Sequence, residues 1–482
     1  MSRRGMTLIE MMVAMTATLL LMGAIAQVFS VFGTAVSDSR SVIETDARMR
    51  AVAWQLRTDL AGATAATLPP LTPADDAGYF EVVEGPSTDT LLYYNAATDT
   101  SLATPFDKTG GSPGPGATSD DRILGDTDDV LLFTTRSMNP PFLGKFENGK
   151  YESSVAEVAW FLRPTRNSSS GAPVTSNPTA YTLHRRQMLV VGYVGAGAFA
   201  SSQNMVDSTQ LPATGTSSWQ NYWNRYDISA RAARPPTGGT NFMPNTLADL
   251  TRRESRFMHN VAGITGTTGF PFRFPRQFQF HAPSTDNLDG LTFAGTAREG
   301  EDVVLSNVIA FDVRVFDPTA AVQLSGNTVV APGDPGFVTG SSNGFGAYVD
   351  LGHGDTTTGP SGIPRHFNGL GAGKSELDAT ATQPRTWDTW STHYESDGID
   401  QDNVLGNDQG TNGLDDDLDG IVDNGPVDLN ADGDFADPGE QGELETSPPY
   451  PFPLRGIEVR IRCYEPSSRQ VRQMTIRHTF VR

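Results

Sequence analysis

The sequence has few cysteine and histidine residues, on which zinc sites and many catalytic centres depend. Among its 482 residues there is one cysteine, Cys463, which excludes an intrachain disulfide and a thiolate zinc site. The seven histidines show no paired helical spacing. Lys and Arg number 35 against 56 Asp and Glu, a formal net charge of −21, so the composition argues against the basic surface that nucleic-acid binding requires. We therefore predict that the protein is not an enzyme and does not bind nucleic acid.

Two glycine-rich stretches come close to catalytic motifs without completing them. Residues 369–375 would match a phosphate-binding loop if a glycine stood five positions before Gly373, where the sequence has Asn368. Residues 340–344 have the spacing of a nucleophile elbow, but they lie in a Gly/Ser-rich stretch without the strand-to-helix pattern of that motif. Neither stretch supports a catalytic centre.

The longest uncharged stretch lies near the N-terminus. No charged side chain occurs from Met11 to Ser37, and as a helix at about 1.5 Å per residue this stretch spans about 40 Å, against about 30 Å of hydrocarbon. Arg3 and Arg4 precede it, which predicts a cytoplasmic N-terminus with the rest of the chain outside. The stretch is longer than the apolar part of an ordinary signal peptide, and Glu10 lies inside apolar sequence, where an unpaired charge is costly.

These residues resemble the prepilin signal of type IV pilins and type II secretion pseudopilins. Gly5 is followed by Met6-Thr-Leu-Ile-Glu10 and then by the apolar run. The resemblance implies that a prepilin peptidase cleaves after Gly5, that Met6 becomes the methylated first residue, and that Glu10 guides assembly. The physics agrees, because the α-amine of a neighbouring subunit could neutralise the Glu10 carboxylate and so set the register of stacked helices.

Beyond the apolar run the sequence becomes amphipathic and then β-rich. Val42, Met49, Val52, Leu56 and Leu60 recur at helical spacing, and the Pro69-Pro70 pair stops the helix. Short apolar runs between Gly, Pro, Asp and Asn predict strands at 90–94, 130–134, 155–162, 188–194, 309–315, 457–463 and 474–481, the last two forming an antiparallel hairpin. We expect four tryptophans to pack in the core: Trp219, Trp223, Trp387 and Trp390.

We therefore predict an α+β, pilin-like fold, in which a long N-terminal helix packs on an antiparallel β-sheet with large loop insertions. The expected parts are a leader at 1–5, a helix at 6–66 with its transmembrane part at about 11–32, a β-rich region at 67–394, an Asp-rich insertion at 395–445 and a C-terminal hairpin at 446–482.

The Asp-rich insertion predicts a calcium site. It holds seventeen acids and no Lys or Arg, so most of the net charge is local. Two stretches repeat the opening of a D-x-[DN]-x-[DN]-G calcium loop, although Pro426 and Gly439 stand where an EF-hand has its bidentate glutamate. The segment resembles the Asp-rich loops of dockerin and thrombospondin type 3 modules; an acidic loop without bound metal is the alternative. The candidate ligands for structural Ca²⁺ are Asp415, Asp417, Asp419, Asp423, Asp428, Asn430, Asp432, Asp434 and Asp437.

The resemblance implies a structural role. The chain is similar to J-type pseudopilins and W-type minor pilins in its membrane signal and, more weakly, at 155–162, 183–186 and 457–481. Such a minor pseudopilin or minor pilin initiates or caps a fibre, and its partners are other pilins or pseudopilins, the prepilin peptidase and the inner-membrane assembly platform. The implied location is the bacterial inner membrane, with a single pass and a periplasmic C-terminal domain, and then a pseudopilus or surface pilus. The alternative is a calcium-dependent adhesin displayed on a pilin stem.

Overall fold

A computed structural model describes the helical N-terminus and most of the β-rich core. The described residues are 7–67, 75–84, 126, 129–137, 139–164, 181–200, 204–207, 211, 218–232, 241–252, 255–257, 297–326, 328–332, 334, 337–338, 340–351, 385–389, 411–414, 422–423, 453–466, 468 and 470–480. Gly5, Met6, the predicted strand at 90–94, Trp390 and almost all of the Asp-rich insertion lie outside these residues.

One long helix, α1 (Leu8–Ala61), opens the described chain. It runs unbroken through Gly23 and Gly33. It ends five residues before the predicted end, because the chain turns at Gly62 to join a strand at 130–136. The Arg136 N–H donates to the Gly62 carbonyl over 2.7 Å, and Ala63 forms a β-bridge with Thr135. The predicted helix continued through the Ala and Thr residues after Ala61, but this pairing with a distant strand ends the helix there.

Within the described residues, the other elements are two short α-helices, one 3₁₀ helix (Gly197–Ala200) and fifteen strands. The α-helices are α2 (Ser218–Arg225) and α3 (Leu247–Leu250). The strands are β1 (Phe80–Glu84), β2 (Val130–Arg136), β3 (Phe142–Phe146), β4 (Gly149–Ser153), β5 (Val155–Pro164), β6 (Tyr181–Leu189), β7 (Val206–Asp207), β8 (Ala230–Ala232), β9 (Asn241–Pro244), β10 (Val303–Ser325), β11 (Thr328–Val330), β12 (Gly344–Val349), β13 (Arg385–Asp388), β14 (Gly456–Glu465) and β15 (Gln470–Thr479).

The main sheet is antiparallel, with the strand order β13-β1-β2-β5-β6-β10-β14-β15, and β11 and β12 both pair with β10. Two smaller sheets, β3-β4 and β7-β9-β8, are separate from its hydrogen-bonded strand order. The α+β class and the C-terminal hairpin are thereby confirmed, with Glu465 opposite Gln470 at the turn. The strand predicted at 188–194 is wrong for most of its length. Tyr181–Leu189 forms the strand instead, because its His-Arg-Arg residues find buried partners and the chain leaves the sheet after Leu189.

Each face of the sheet has its own core. On one face, Met49, Val52, Leu56 and Leu60 of α1 pack against alternate residues of the central strands, such as Val158. On the opposite face, the other side chains of β1, β2 and β5 are covered by the two short helices and the small sheets. Three of the four tryptophans confirm the core prediction, since Trp219, Trp223 and Trp387 are buried. Trp219 and Trp223 therefore offer little support for an exposed adhesive platform.

The sheet curls, so that strands near its two edges meet beside the C-terminal end of α1. Phe480, after β15, packs its ring 4.9 Å from that of Phe80 on β1. Leu454 exchanges hydrogen bonds with Thr67, just beyond the helix. We call this end, formed by residues 62–67, Phe80, Thr389, Leu454 and Phe480, the distal pole. The β14-β15 turn lies at the other end, where Thr45 of α1 donates to Glu465 over 2.6 Å.

Candidate functional site

The first turn of α1 holds Glu10 in a capping box. The Glu10 Oε2 atom accepts hydrogen bonds from the Thr7 N–H at 2.9 Å and from the Thr7 hydroxyl at 3.1 Å. In return, the Thr7 hydroxyl oxygen accepts a bond from the Glu10 N–H at 3.3 Å. This reciprocal arrangement satisfies the backbone donors that a helix start leaves open. The carboxylate is therefore held at the start of the helix, five residues after the predicted cleavage position in the sequence.

Thr7 is a site residue that the sequence reasoning missed. The Thr7-x-x-Glu10 spacing is the ordinary signature of a capping box, so the signal was present. Gly5 and Met6 lie outside the described residues, so their predicted roles in cleavage and methylation stay predictions.

The first half of α1 exposes its apolar side chains on every side. Among these are Leu8, Ile9, Leu20, Met22 and Phe29, each more than two-thirds exposed. In the described part of the chain, α1 is the one helix long and apolar enough to cross a membrane. A soluble domain rarely leaves so much contiguous apolar surface in water, so this half requires lipid or other helices around it.

The second half of α1 is fastened to the sheet by a buried ion pair. Asp59 accepts from Arg185 of β6 twice, at 2.7 Å from Nε and 2.8 Å from Nη2, and from the Trp160 indole at 3.1 Å. Gln55, one turn earlier, donates to the same carboxylate at 3.0 Å. We call Asp59, Arg185, Trp160 and Gln55 the helix–sheet lock. No local pattern in the sequence indicated it, because Arg185 lies 126 residues from Asp59.

A second buried polar cluster lies on the other face of the sheet. Glu157 accepts from the Tyr79 hydroxyl at 2.7 Å, from the Ser229 hydroxyl at 2.5 Å and from the Phe257 N–H at 2.8 Å. Desolvation raises the pKa of Glu157, although these three donors oppose the shift. Arg256, fully buried beside it, pairs with Glu81 at 3.0 Å. These groups lie inside the core, away from solvent, so we interpret the cluster as a structural connection between layers.

Of the nine predicted calcium ligands, one lies within the described residues. Asp423 has a left-handed backbone, with φ of 52°, and its Oδ1 atom accepts a hydrogen bond from the Gly413 N–H at 2.8 Å. The other eight, Asp415, Asp417, Asp419, Asp428, Asn430, Asp432, Asp434 and Asp437, lie outside them. Within the described ranges, no group of three or more His, Cys, Asp or Glu side chains is placed to hold a metal ion.

The fold and the helix together define a class of protein: an α+β domain carried on one long helix whose first half is built for an apolar environment. Residues 1–26 match the family model of the prokaryotic N-terminal methylation motif. The motif and the apolar helix that follows it constitute a type IV pilin-like prepilin signal, which confirms the resemblance seen at Gly5 to Glu10. No curated protein and no solved structure matches the chain.

Proposed function

We propose that this protein is a minor pilin or minor pseudopilin, a structural subunit that initiates or caps a type IV pilus or a type II secretion pseudopilus. One observation carries the proposal: the methylation motif continues directly into a 54-residue helix whose first half is exposed and apolar and whose second half is fastened to a folded domain. That combination supports a subunit that is stored in the membrane and then stacked through its helix. It does no chemistry of its own.

In this proposal the N-terminal helix has two successive environments. Arg3 and Arg4 keep the leader in the cytoplasm, where the prepilin peptidase cleaves after Gly5 and Met6 is methylated. The helix then anchors the subunit in the inner membrane by a single pass, with the folded domain in the periplasm. During assembly on the inner-membrane platform, Glu10 pairs with the α-amine of a neighbouring pilin or pseudopilin, and burial of that pair in apolar surroundings selects the correct stagger.

Features of the distal pole support a position at the end of a fibre. Val315 of β10 lies opposite Ile457, next to the start of β14, and β10 then continues for ten more residues, or about 33 Å if fully extended. Thr389, the last described residue before the Asp-rich insertion, and Leu454, which follows it, both lie at this pole. A further subunit placed beyond the distal pole would have to accommodate the projecting part of β10 and the residues that flank the insertion.

The processing step is tested by mass analysis of the protein extracted from membranes and from sheared fibres. The expected N-terminus is a methylated Met6, and Glu10→Gln should leave cleavage intact while removing the subunit from fibres. Glu44→Gln is the matched control, because Glu44 is an exposed acid of the same helix, paired with Arg48. An uncleaved leader, or equal incorporation of the Glu10 and Glu44 variants, would overturn the proposal.

We also propose that the Asp-rich insertion binds structural Ca²⁺ through the nine residues named above. The support is their alternate spacing, which directs several oxygen ligands to one centre, and the charge of a segment without basic residues. Calcium should protect residues 395–445 from limited proteolysis, and chelation should expose them. Equal cleavage with calcium, with magnesium and with chelator would contradict the site.

A further inference from the structure

The face of α1 that points away from the sheet carries a regular seam. Residues 40, 43, 47, 50, 54 and 57 follow one another at alternating steps of three and four, the spacing by which one helix packs along another. At about 100° per residue they lie within an arc of about 100°, opposite the buried stripe of Met49, Val52, Leu56 and Leu60. We call Arg40, Ile43, Ala47, Arg50, Trp54 and Arg57 the outer seam.

The outer seam is exposed and rich in the residue types that dominate protein interfaces. Trp54 is 66% exposed and Ile43 is 65% exposed. Tryptophan and arginine are the residues most enriched among interface hot spots. Four residues upstream of Arg40, Val36 continues the same face into the apolar half of α1. The seam therefore extends a surface that already requires other helices around it.

The arginines of the seam have no acidic partner within the described residues. Arg50 donates only to a backbone carbonyl, that of Asp46 at 3.2 Å. The neighbouring acids are already engaged off the seam, since Glu44 pairs with Arg48 and Asp46 lies 3.8 Å from Arg472. Three basic side chains without acids on one helix face, in a chain of net charge −21, are complementary to an acidic surface.

We propose that the outer seam binds the helix of a different pilin-like subunit, one that presents carboxylates and apolar side chains at matching positions. The heptad spacing fits packing against another helix, and the exposed arginines are complementary to carboxylates on that helix. A second copy of this chain laid parallel would place arginine near arginine, which is unfavourable at short range. The proposal rests on the proposed function, since it names the partner that such a subunit would recruit.

The test uses the full chain in the bacterium that produces it. A photoreactive benzoylphenylalanine is introduced at position 54, and at position 48 as a matched exposed control off the seam. The expected product is an adduct from position 54 alone, whose crosslinked peptide lies in the N-terminal helix of another protein with a prepilin signal, beside Asp or Glu. An adduct with a second copy of this chain or with a protein lacking that signal would overturn the proposal. Equal adducts from both positions, or no adduct at all, would also overturn it.

Charge variants test the electrostatic part. Arg50→Glu combined with Arg57→Glu should reduce the adduct at least tenfold, whereas Arg50→Lys with Arg57→Lys should retain most of it and Arg48→Glu should not change it. A reduction by the lysine pair equal to that by the glutamate pair would contradict charge recognition. Methylation of Met6 and recovery in fibres are measured in the same cells. If both are normal while the adduct fails, the seam is wrong and the proposed function stands; if both fail, the proposed function itself is wrong.

Discussion

Removal of the Asp59 charge should weaken the attachment of α1 to the sheet by several kcal/mol. The Asp59 carboxylate accepts four hydrogen bonds, and two come from the Arg185 guanidinium at 2.7 and 2.8 Å. The Asp59 side chain is 1% exposed and that of Arg185 is 10% exposed. Asp59→Asn keeps the shape of the side chain but leaves the arginine charge buried without a counter-charge. Loss of one partner of a buried pair typically costs about 3–5 kcal/mol.

The measurement is urea unfolding of the full chain in mild detergent, followed by tryptophan fluorescence, since Trp160 lies at the lock. We expect Asp59→Asn to lower the free energy of unfolding by at least about 3 kcal/mol. In an Arg185→Met background, where no buried charge remains, the same change should cost about 1 kcal/mol. The difference of about 2 kcal/mol is the coupling between the two side chains.

A control comes from the same helix. Asp46 lies 3.8 Å from Arg472, and both side chains are about two-fifths exposed. Asp46→Asn should therefore change the free energy of unfolding by less than about 1 kcal/mol. If Asp59→Asn and Asp46→Asn were equally mild, or if the cost of Asp59→Asn did not depend on Arg185, the lock would not hold the helix as we describe.

Three further predictions address the helix ends and the distal pole. Gly62→Ala should destabilise the domain by about 1–3 kcal/mol in the same unfolding assay, because its Cβ would meet the Arg136 carbonyl and the Thr135 hydroxyl; a neutral result would contradict the close approach. Thr7→Val should lower recovery in fibres about fivefold, since an N-cap is worth about 1 kcal/mol, and Thr7→Ser should restore it. Desolvation lowers the pKa of half-buried His478, so its contribution to stability is complete above about pH 6.5 and is lost as the pH falls through the folded pKa. His478→Phe should remove that part of the difference in stability between pH 7.5 and pH 5; an unchanged difference would exclude His478 as its source.

Much of the architecture could be predicted from local patterns. The apolar run and the 3.6-residue repeat of Met49, Val52, Leu56 and Leu60 indicated a helix that changes environment along its length. Alternation in Ile457–Cys463 indicated a half-buried strand, and the turn that follows specified its hairpin partner. These features are local, so the sequence near them is enough.

The features that the sequence could not reveal depend on distant parts of the chain. Tyr181–Leu189 contains His-Arg-Arg, which reads as exposed, yet Arg186 is 2% exposed, with Asp227 as an ionic partner at 3.5 Å. The helix–sheet lock and the early end of α1 likewise depend on β6 and β2. The curled sheet with a common distal pole follows from contacts such as that of Phe80 with Phe480, 400 residues apart in sequence.

In the proposed function, the two faces of α1 separate stability from assembly. Asp59 and the apolar stripe bind the helix to its own sheet, so substitutions there should lower the free energy of unfolding whether or not a partner is present. Trp54 and the seam arginines make few contacts within the described chain, so their removal should leave unfolding unchanged and act on association alone. Because the two faces are on opposite sides of one helix, the proposed partner can bind the outer seam without opening the core. In the proposed assembly, the helix therefore carries the domain and recruits a neighbour at the same time.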